Sequence, residues 1–249
     1  MKVVVIGGTG LIGTRLGERL RAAGHEVIAA APSTGVDTVA GTGVKEALTG
    51  ADVVVDVSNS PSFAPADVLA FFSRSTANLL AAEAEAGVRH HVALSIVGAD
   101  RVSDSGYLAA KVAQEELIRD GGVPYTIVRA TQFFEFLVGI ADAGTVDGVA
   151  HLTSAPFQPV AADDVADTLA TIVSGEPANA TLDLAGPDRR PLVDLVRTVL
   201  EVRGDTREVV SDDTARYFGA LLGPESVVPT GEARIGTVRL ADWLTTSGG

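Results

Sequence analysis

The chain has 249 residues, of which 46% are hydrophobic, so it can form one large α/β domain with a sizeable core. Its formal net charge is −13, and an acidic surface repels nucleic-acid backbones and anionic membranes, so neither is expected as the main partner. It has no cysteine, which excludes disulfides, thiolate metal sites and a cysteine nucleophile, and no apolar run suited to a signal peptide or a membrane span, so we expect a cytoplasmic protein.

Apolar runs of strand length alternate with helical patterns through the first 130 residues. The predicted strands are 2–6, 26–30, 52–57, 90–97 and 125–129. The predicted helices are 10–23, 64–86 and 107–119, the second with a potential break near 73–75. Strands that are apolar throughout are buried on both faces, and strand–helix alternation with short links is typical of a parallel sheet. The sequence therefore predicts an α/β Rossmann fold with a doubly wound parallel sheet.

The alternation loosens after residue 130. An apolar, aromatic stretch covers 131–141, and a polar loop is predicted over 144–153. Helices predicted over 163–174 and 191–203 flank a short strand over 181–184. We expect one domain over 1–249, in which about 1–130 form the core. About 131–249 add late strands and a small mixed lobe that covers the substrate. A homo-oligomer is compatible with the sequence, which does not specify one.

The turn after the first strand has the features of a phosphate-binding turn. Gly7 permits the tight turn, Gly10 lets the backbone approach a pyrophosphate, and Gly13 lets the next helix pack closely on the strand. The first N–H groups of that helix and its dipole attract phosphates. The predicted contacts also include Thr9, Leu11 and Ile12. A dinucleotide cofactor is therefore predicted, the alternative being a glycine-rich turn without a ligand.

The Gly-x-x-Gly-x-x-Gly spacing resembles that of extended and atypical short-chain dehydrogenases/reductases. The likeness continues in four segments: 78–88, 91–95, the Tyr107-x-x-x-Lys111 motif and 160–166. Residues 129–135 are most similar to the NmrA-like group, which mixes reductases with cofactor-binding sensors. The resemblance implies an NAD(P)-dependent oxidoreductase. The alternatives are a regulatory protein that acts through a partner, or a sugar-nucleotide epimerase or dehydratase.

The segment after the second strand bears on the choice of cofactor. NAD-binding proteins usually place Asp or Glu there to accept a hydrogen bond from the ribose 2′-OH, and this chain has none at that point. Ser33, Thr34 and the backbone at Gly35 can instead donate to a 2′-phosphate, and Arg15 can supply positive charge. NADP(H) is therefore predicted, with NAD(H) as the alternative because no arginine ends that strand.

Tyr107 and Lys111 are the predicted acid–base pair. They lie four residues apart on a predicted helix and so share one face. A nearby ammonium favours phenolate and lowers the tyrosine pKa, and Lys111 can also bind the nicotinamide ribose. The resemblance implies that Tyr107 protonates a carbonyl oxygen as the nicotinamide supplies hydride. Ser95 either orients the substrate oxygen or is structural, and the alternative for the pair is a half-buried tyrosine with a solvated lysine.

The remaining candidates surround the expected nicotinamide and substrate. Ser58 and Asn59 follow the third strand and Thr131 follows the fifth, so all three are predicted cofactor contacts; Asn59 is otherwise a turn residue. The predicted substrate lining is Gln132, Phe133, Phe134, Phe136, Tyr217 and Phe218. The alternative is that these aromatic residues belong to the hydrophobic core and do not line the cleft. Because the lining is mostly apolar, we expect a neutral ketone, aldehyde or quinone. The four histidines are scattered, so no metal is predicted.

Overall fold

The computed structural model describes residues 1–247. Its main sheet contains β1 (Lys2–Ile6), β2 (Glu26–Ala30), β3 (Val53–Asp56), β4 (His90–Ile96), β5 (Tyr125–Ala130), β9 (Ala180–Ala185) and β12 (Arg234–Ile235). All neighbouring strands are parallel, in the order β12-β9-β5-β4-β3-β1-β2. The predicted doubly wound sheet is therefore confirmed.

Helices cover both faces of this sheet. The helices on the sheet are α1 (Leu11–Ala22), α2 (Val44–Leu48), α3 (Pro65–Ala86), α4 (Gly106–Asp120) and α6 (Ala162–Val173). The remaining helices, which pack around a separate core, are α5 (Leu137–Ala143), α7 (Leu192–Val202) and α8 (Leu240–Ser247). Successive side chains of a strand point to opposite faces, so Val3 and Val5 pack with α1 and α6, whereas Val4 and Ile6 pack with α2 and α3. This double burial explains why β1 is apolar throughout.

The remaining strands build the small lobe. They are β6 (Thr145–Val146), β7 (Val149–Leu152), β8 (Pro156–Phe157), β10 (Arg190–Pro191) and β11 (Glu208–Ser211). The lobe has its own core, in which Leu152, Phe157, Val196 and Trp243 are buried together. The polar loop predicted over residues 144–153 of this lobe is wrong, because β6 and β7 pair there as an antiparallel hairpin. Asp147-Gly148 forms the turn, with φ of 49° and 83°, and an Asp-Gly turn is a strong hairpin signal.

Other differences from the sequence prediction are local. Helix α3 runs unbroken through residues 73–75, where the Ser75 hydroxyl donates to Thr38 Oγ1 at 2.8 Å. The short elements α2, β8, β10, β11 and β12 and the helix α8 were not predicted. Within residues 1–247, no helix has the length and apolar character that a membrane crossing requires.

Candidate active site

A cleft of 1480 Å³ lies at the carboxyl ends of the parallel strands, between the sheet and the small lobe. β2 lies on one side of β1, and the chain then crosses to the other side of β1 to form β3, so the strand order reverses beside β1. Ligands of open α/β sheets bind at such switch points. The cleft is lined by parts of the segments that follow five strands: 7–12, 30–39, 57–63, 94–96 and 130–136.

The glycine turn forms one end of the cleft. Gly7 has a φ of 77°, and its N–H donates to Ala30 O at 2.9 Å, which pins the turn to β2. Gly10 caps α1 without any side chain bonded to the first N–H groups of that helix. A Cβ on Gly13 would lie 2.2 Å from Gly7 O, so only glycine fits beneath the turn. This geometry fits a dinucleotide pyrophosphate. Thr9, Gly10, Leu11 and Ile12 line the cleft, whereas Gly13 supports the turn from behind.

The predicted 2′-phosphate donors lie outside the cleft lining. Ser33 and Gly35 are exposed, and the Thr34 hydroxyl bonds the backbone of Ala31 and so closes a short 3₁₀ turn. The side chain of Arg15 faces α6, where its Nε lies 3.5 Å from the Asp163 carboxylate. The structure therefore gives the Thr34 and Arg15 side chains other partners.

Two charged residues that the sequence analysis did not select line this end of the cleft instead. Asp37 lies in the loop after β2, and its Oδ1 accepts hydrogen bonds from the backbone N–H groups of the next turn. Arg74 lies on α3, next to Ser75, which bonds Thr38 of that same loop. The Arg74 side chain is exposed and has no ion pair or hydrogen bond within residues 1–247. One carboxylate and one guanidinium thus line the part of the cleft where the adenosine ribose of the cofactor is expected.

Tyr107 lies at the opposite end. Its hydroxyl donates to Asn59 Oδ1 at 2.8 Å, and the same oxygen accepts from the N–H of Ser60 at 2.9 Å. Burial raises the pKa of Tyr107 to about 12, against the opposite effect of the Asn59 bond. The expected lowering of this pKa by Lys111 is therefore wrong for this structure, in which desolvation dominates. Asn59 orients the phenol, a role that sequence reasoning did not assign.

Lys111 is buried rather than solvated. Its Nζ donates to Leu94 O at 2.9 Å and to the side-chain oxygen of Gln114, and it lies 4.3 Å from the centre of the Phe72 ring. Burial lowers the pKa of Lys111 to about 8, although nearby carboxylates favour the charged form. Lys111 also lines the cleft. The alternative of a solvated lysine is therefore wrong, and this ammonium loses its proton as the pH rises through about 8.

Ser95 belongs to a buried ion-pair network. Its hydroxyl donates to Glu115 Oε1 at 2.6 Å, and Arg129 donates to both oxygens of the same carboxylate at 2.8 and 2.6 Å. Burial alone would raise the pKa of Glu115, but the hydrogen bonds from Arg129 and Ser95 lower it. Ser95 is 4% exposed. Although it reaches the cleft wall, its hydroxyl has a structural partner, which favours the structural alternative.

The other predicted contacts beside Tyr107 also line the cleft. The Ser58 hydroxyl donates to Asp56 Oδ1 at 2.6 Å, and the Thr131 hydroxyl donates to Gln158 O at 2.6 Å. Both hydroxyls therefore already hold the loops that follow β3 and β5.

Aromatic rings form the substrate end of the cleft. Phe133, Phe136, Tyr217 and Phe218 line it as predicted, together with Gln132. Phe134 instead points into the core of the small lobe, where it is 2% exposed and packs on Trp243 with ring centres 5.7 Å apart.

Another aromatic residue beside Tyr107, Phe63, was not predicted. Phe63 lies in the serine- and proline-rich loop after β3 and is 58% exposed. Its ring centre is 5.6 Å from Tyr107 and 5.7 Å from Phe218, which itself stacks on Tyr107 at 5.1 Å. Phe218 has a φ of 46°, which is strained for a bulky residue. Strained backbone of this kind is often found at functional sites. The two loops thus meet beside the phenol, where their rings also contact each other.

A family model described as NAD(P)H-binding matches residues 7–176. The chain belongs to this family. The match begins at the glycine turn and extends through α6, so it includes the cleft end that fits a pyrophosphate. NAD(P)H is therefore the cofactor class of this NAD(P)H-binding protein.

Three comparisons place this NAD(P)H-binding protein among known ones. It is 31% identical over 190 residues to (4-alkanoyl-5-oxo-2,5-dihydrofuran-3-yl)methyl phosphate reductase of Streptomyces griseus, over 70% of this chain and 63% of the relative. It is 27% identical over 168 residues to the photosystem II assembly factor Ycf39 of Cyanophora paradoxa, over 66% of this chain and 52% of the relative. The chain thus aligns with less than two thirds of either relative's length.

The third comparison concerns the fold. The NADPH-dependent quinone oxidoreductase QOR2 of Escherichia coli, solved with NADPH, superposes with a TM-score of 0.66 at 21% identity, over 84% of this chain and 77% of that one. At this identity the likeness establishes the Rossmann architecture alone.

Proposed function

We propose that this protein is an NADPH-dependent reductase that acts on a neutral ketone, aldehyde or quinone, with Tyr107 as the proton donor. The observation that carries the proposal is one continuous cleft with the glycine turn at one end and an oriented, half-buried phenol at the other. A cofactor whose pyrophosphate lies on the turn extends along the strand ends toward Tyr107. A reductase needs hydride and proton at one carbon–oxygen bond, and this arrangement brings both sources together.

The side chains around Tyr107 divide the chemical work. The reduced nicotinamide supplies the hydride when bound. Tyr107 gives its hydroxyl proton to the developing alkoxide, and Asn59 holds the phenol in place until a stronger acceptor arrives. Lys111 lines the same cleft and is placed to bind the hydroxyls of the nicotinamide ribose. Phe63 and Phe218 exclude water from the reacting atoms.

The direct test compares substrates of opposite charge. NADPH oxidation is measured with a neutral aryl ketone or quinone and with a keto acid of similar size. We expect kcat/KM to be at least about tenfold higher for the neutral compound, because the substrate end is aromatic and the net charge is −13. A clear preference for the anion would contradict the neutral-substrate assignment and leave the reductase assignment intact.

A phosphate-bearing substrate is the second candidate. The Streptomyces griseus relative is named as a reductase of a phosphate ester. Arg216 lines the cleft beside the substrate aromatic residues, and its guanidinium donates to Gly219 O at 2.8 Å. An arginine in this position can bind a phosphate. If a phosphorylated carbonyl compound is the better substrate, Arg216→Ala should abolish that preference without changing turnover of the neutral ketone.

A regulatory role is the alternative from another class, because the other relative is named as an assembly factor. The oriented Tyr107 favours the enzyme, since a sensor needs no proton donor. Tight NADPH binding without turnover of any ketone, aldehyde, quinone or phosphorylated carbonyl compound would favour the regulatory role.

NADPH is expected to bind at least about tenfold more tightly than NADH, roughly 1.4 kcal/mol. We propose that Arg74 supplies the charge for the 2′-phosphate, a role first expected of Arg15 and Ser33. Arg74→Ala should remove most of this preference by weakening NADPH alone, whereas Arg203→Ala, an exposed arginine outside the cleft lining, should change neither affinity. Fluorescence titration of both cofactors measures this.

Equal or reversed affinities in the unaltered protein would contradict the NADPH preference. The Asp37 carboxylate, which also lines the cleft, would then be the discriminating group, because it can accept from a free ribose 2′-OH and repels a phosphate. In that case Asp37→Asn should shift the preference toward NADPH.

A further inference from the structure

The side chain of Gln132 has an unusual environment. It follows β5, lines the cleft and is 7% exposed. Neither its amide nitrogen nor its amide oxygen has a hydrogen-bond partner within residues 1–247, and both atoms are buried. An unsatisfied buried polar group costs about 1–3 kcal/mol, and few are found in native proteins. An apolar residue would be more stable here, so the amide calls for a functional explanation.

Two other glutamine side chains of this protein show the ordinary pattern. Gln114 is 1% exposed, yet its Nε2 donates to Asp56 at 3.0 Å and its Oε1 accepts from Lys111. The half-buried Gln158 donates to Gly186 O at 2.8 Å. Gln132 differs from both because it lines the cleft.

The neighbours of Gln132 place it near the proposed reaction centre. The Tyr217 hydroxyl lies beside the Gln132 amide, and this contact opposes the rise that burial causes in the pKa of Tyr217, but no hydrogen bond of ordinary geometry joins the two groups. Phe133 and Phe218 supply apolar walls around these polar groups. The amide is therefore a second polar feature of the substrate end, beside the phenol that is proposed to protonate the carbonyl.

We propose that Gln132 determines specificity by binding a hydroxyl group of the substrate, so that the substrate is a neutral hydroxy-carbonyl compound. The inference rests on the proposed reductase function and narrows its substrate class. A hydroxyl both donates and accepts, so it satisfies the amide oxygen and the amide nitrogen together. A second ketone oxygen satisfies only the nitrogen, and a methyl group satisfies neither. Sites that hydrogen-bond a substrate hydroxyl strongly reject analogues without it, because their own polar groups stay unpaired.

The experiment measures binding rather than turnover. The 2-, 3- and 4-hydroxyacetophenones and their methyl counterparts are titrated by calorimetry into the protein saturated with NADP⁺, which cannot reduce them. For the best isomer we expect the hydroxyl compound to bind at least about 30-fold more tightly than its methyl counterpart, roughly 2 kcal/mol. In Gln132→Met the ratio should fall to within about threefold of unity, while NADP⁺ affinity stays unchanged.

Thermal stability supplies a second readout that a structural role would not produce. Gln132→Met should raise Tm, because an apolar side chain of similar length replaces two unpaired amide atoms. The matched variant Gln158→Met should lower Tm, since it removes the donor to Gly186 O, and should keep the preference for the hydroxyl compound.

The proposal is overturned if no isomer shows a preference for the hydroxyl compound, and failure of every compound to bind counts as this result. It is also overturned if the preference persists in Gln132→Met. A third contrary result is a fall in Tm for Gln132→Met that is as large as the fall for Gln158→Met. Because the titrations involve no hydride transfer, a preference that depends on Gln132 in a protein that never oxidises NADPH would refute the reductase function alone.

Discussion

Tyr107→Phe should lower kcat by about 10²–10⁴-fold, the range typical of losing a general acid, while NADPH affinity stays within about threefold. The reason lies in where the hydroxyl acts. Its one hydrogen bond in the structure is to Asn59, so its loss removes no contact of the glycine turn, and its catalytic contribution arises only in the transition state. Steady-state kinetics on the best substrate, with NADPH titrated separately, measures both quantities.

Two variants separate proton donation from positioning. Asn59→Ala keeps the phenol but removes the acceptor that orients it, so kcat should fall less than in Tyr107→Phe. Lys111→Met removes the buried ammonium and should weaken both turnover and cofactor binding.

The pKa of Lys111 is about 8, so it is protonated below that pH. Activity that depends on this charge should decline as pH rises through about 8, and the decline should be absent in Lys111→Met.

Near-native turnover in Tyr107→Phe would show that another group donates the proton. Tyr217 is the first residue to test then, because its phenol faces Tyr107 and lines the same cleft. A large loss of NADPH affinity in Tyr107→Phe, without a loss of kcat, would instead place the phenol in cofactor binding.

The sequence predicted the sheet well because burial on both faces leaves an unambiguous signal. The apolar runs of β1, β3 and β4 and the glycine turn were all placed within one or two residues. The small lobe was harder to predict, because strands as short as β8 and β10 have too few residues to show an alternation of apolar and polar side chains. Its hairpin was missed although Asp147-Gly148 is a clear turn signal. The polarity of residues 144–153 predicts a loop, whereas buried and half-buried residues alternate along β7 as in a strand.

The site was predicted in part for a similar reason. Residues directly after a strand, such as Asn59 and Thr131, line the cleft as expected. Arg74 and Phe63 were missed because their positions depend on how α3 and the preceding loop pack against distant segments. Local sequence also could not show that Ser95 and Arg15 already have charged partners, Glu115 and Asp163. Such pairings join residues that are far apart in the chain.

The largest effect on stability and cofactor binding is expected from adding one methyl group at Gly13. A Cβ there would lie 2.2 Å from Gly7 O and 2.6 Å from the Cα of Gly8. These are backbone atoms of the phosphate turn, so no side chain can rotate away, and α1 must move off the sheet or the turn must open. Overpacking of this kind costs about 1–3 kcal/mol. The opened turn would also misplace the N–H groups that are proposed to bind the pyrophosphate.

Gly13→Ala should therefore lower the free energy of unfolding by at least about 2 kcal/mol and weaken NADPH binding more than tenfold. Gly17→Ala is the matched control, one helical turn further along α1. Its Cβ would meet only the end of the flexible Arg21 side chain at 3.1 Å, and alanine is favoured over glycine within a helix by about 1 kcal/mol. It should leave NADPH affinity unchanged and hold or raise stability. Urea unfolding and NADPH titration measure both variants, and equal behaviour of the two would show that the turn tolerates a side chain and does not act as a close-fitting phosphate site.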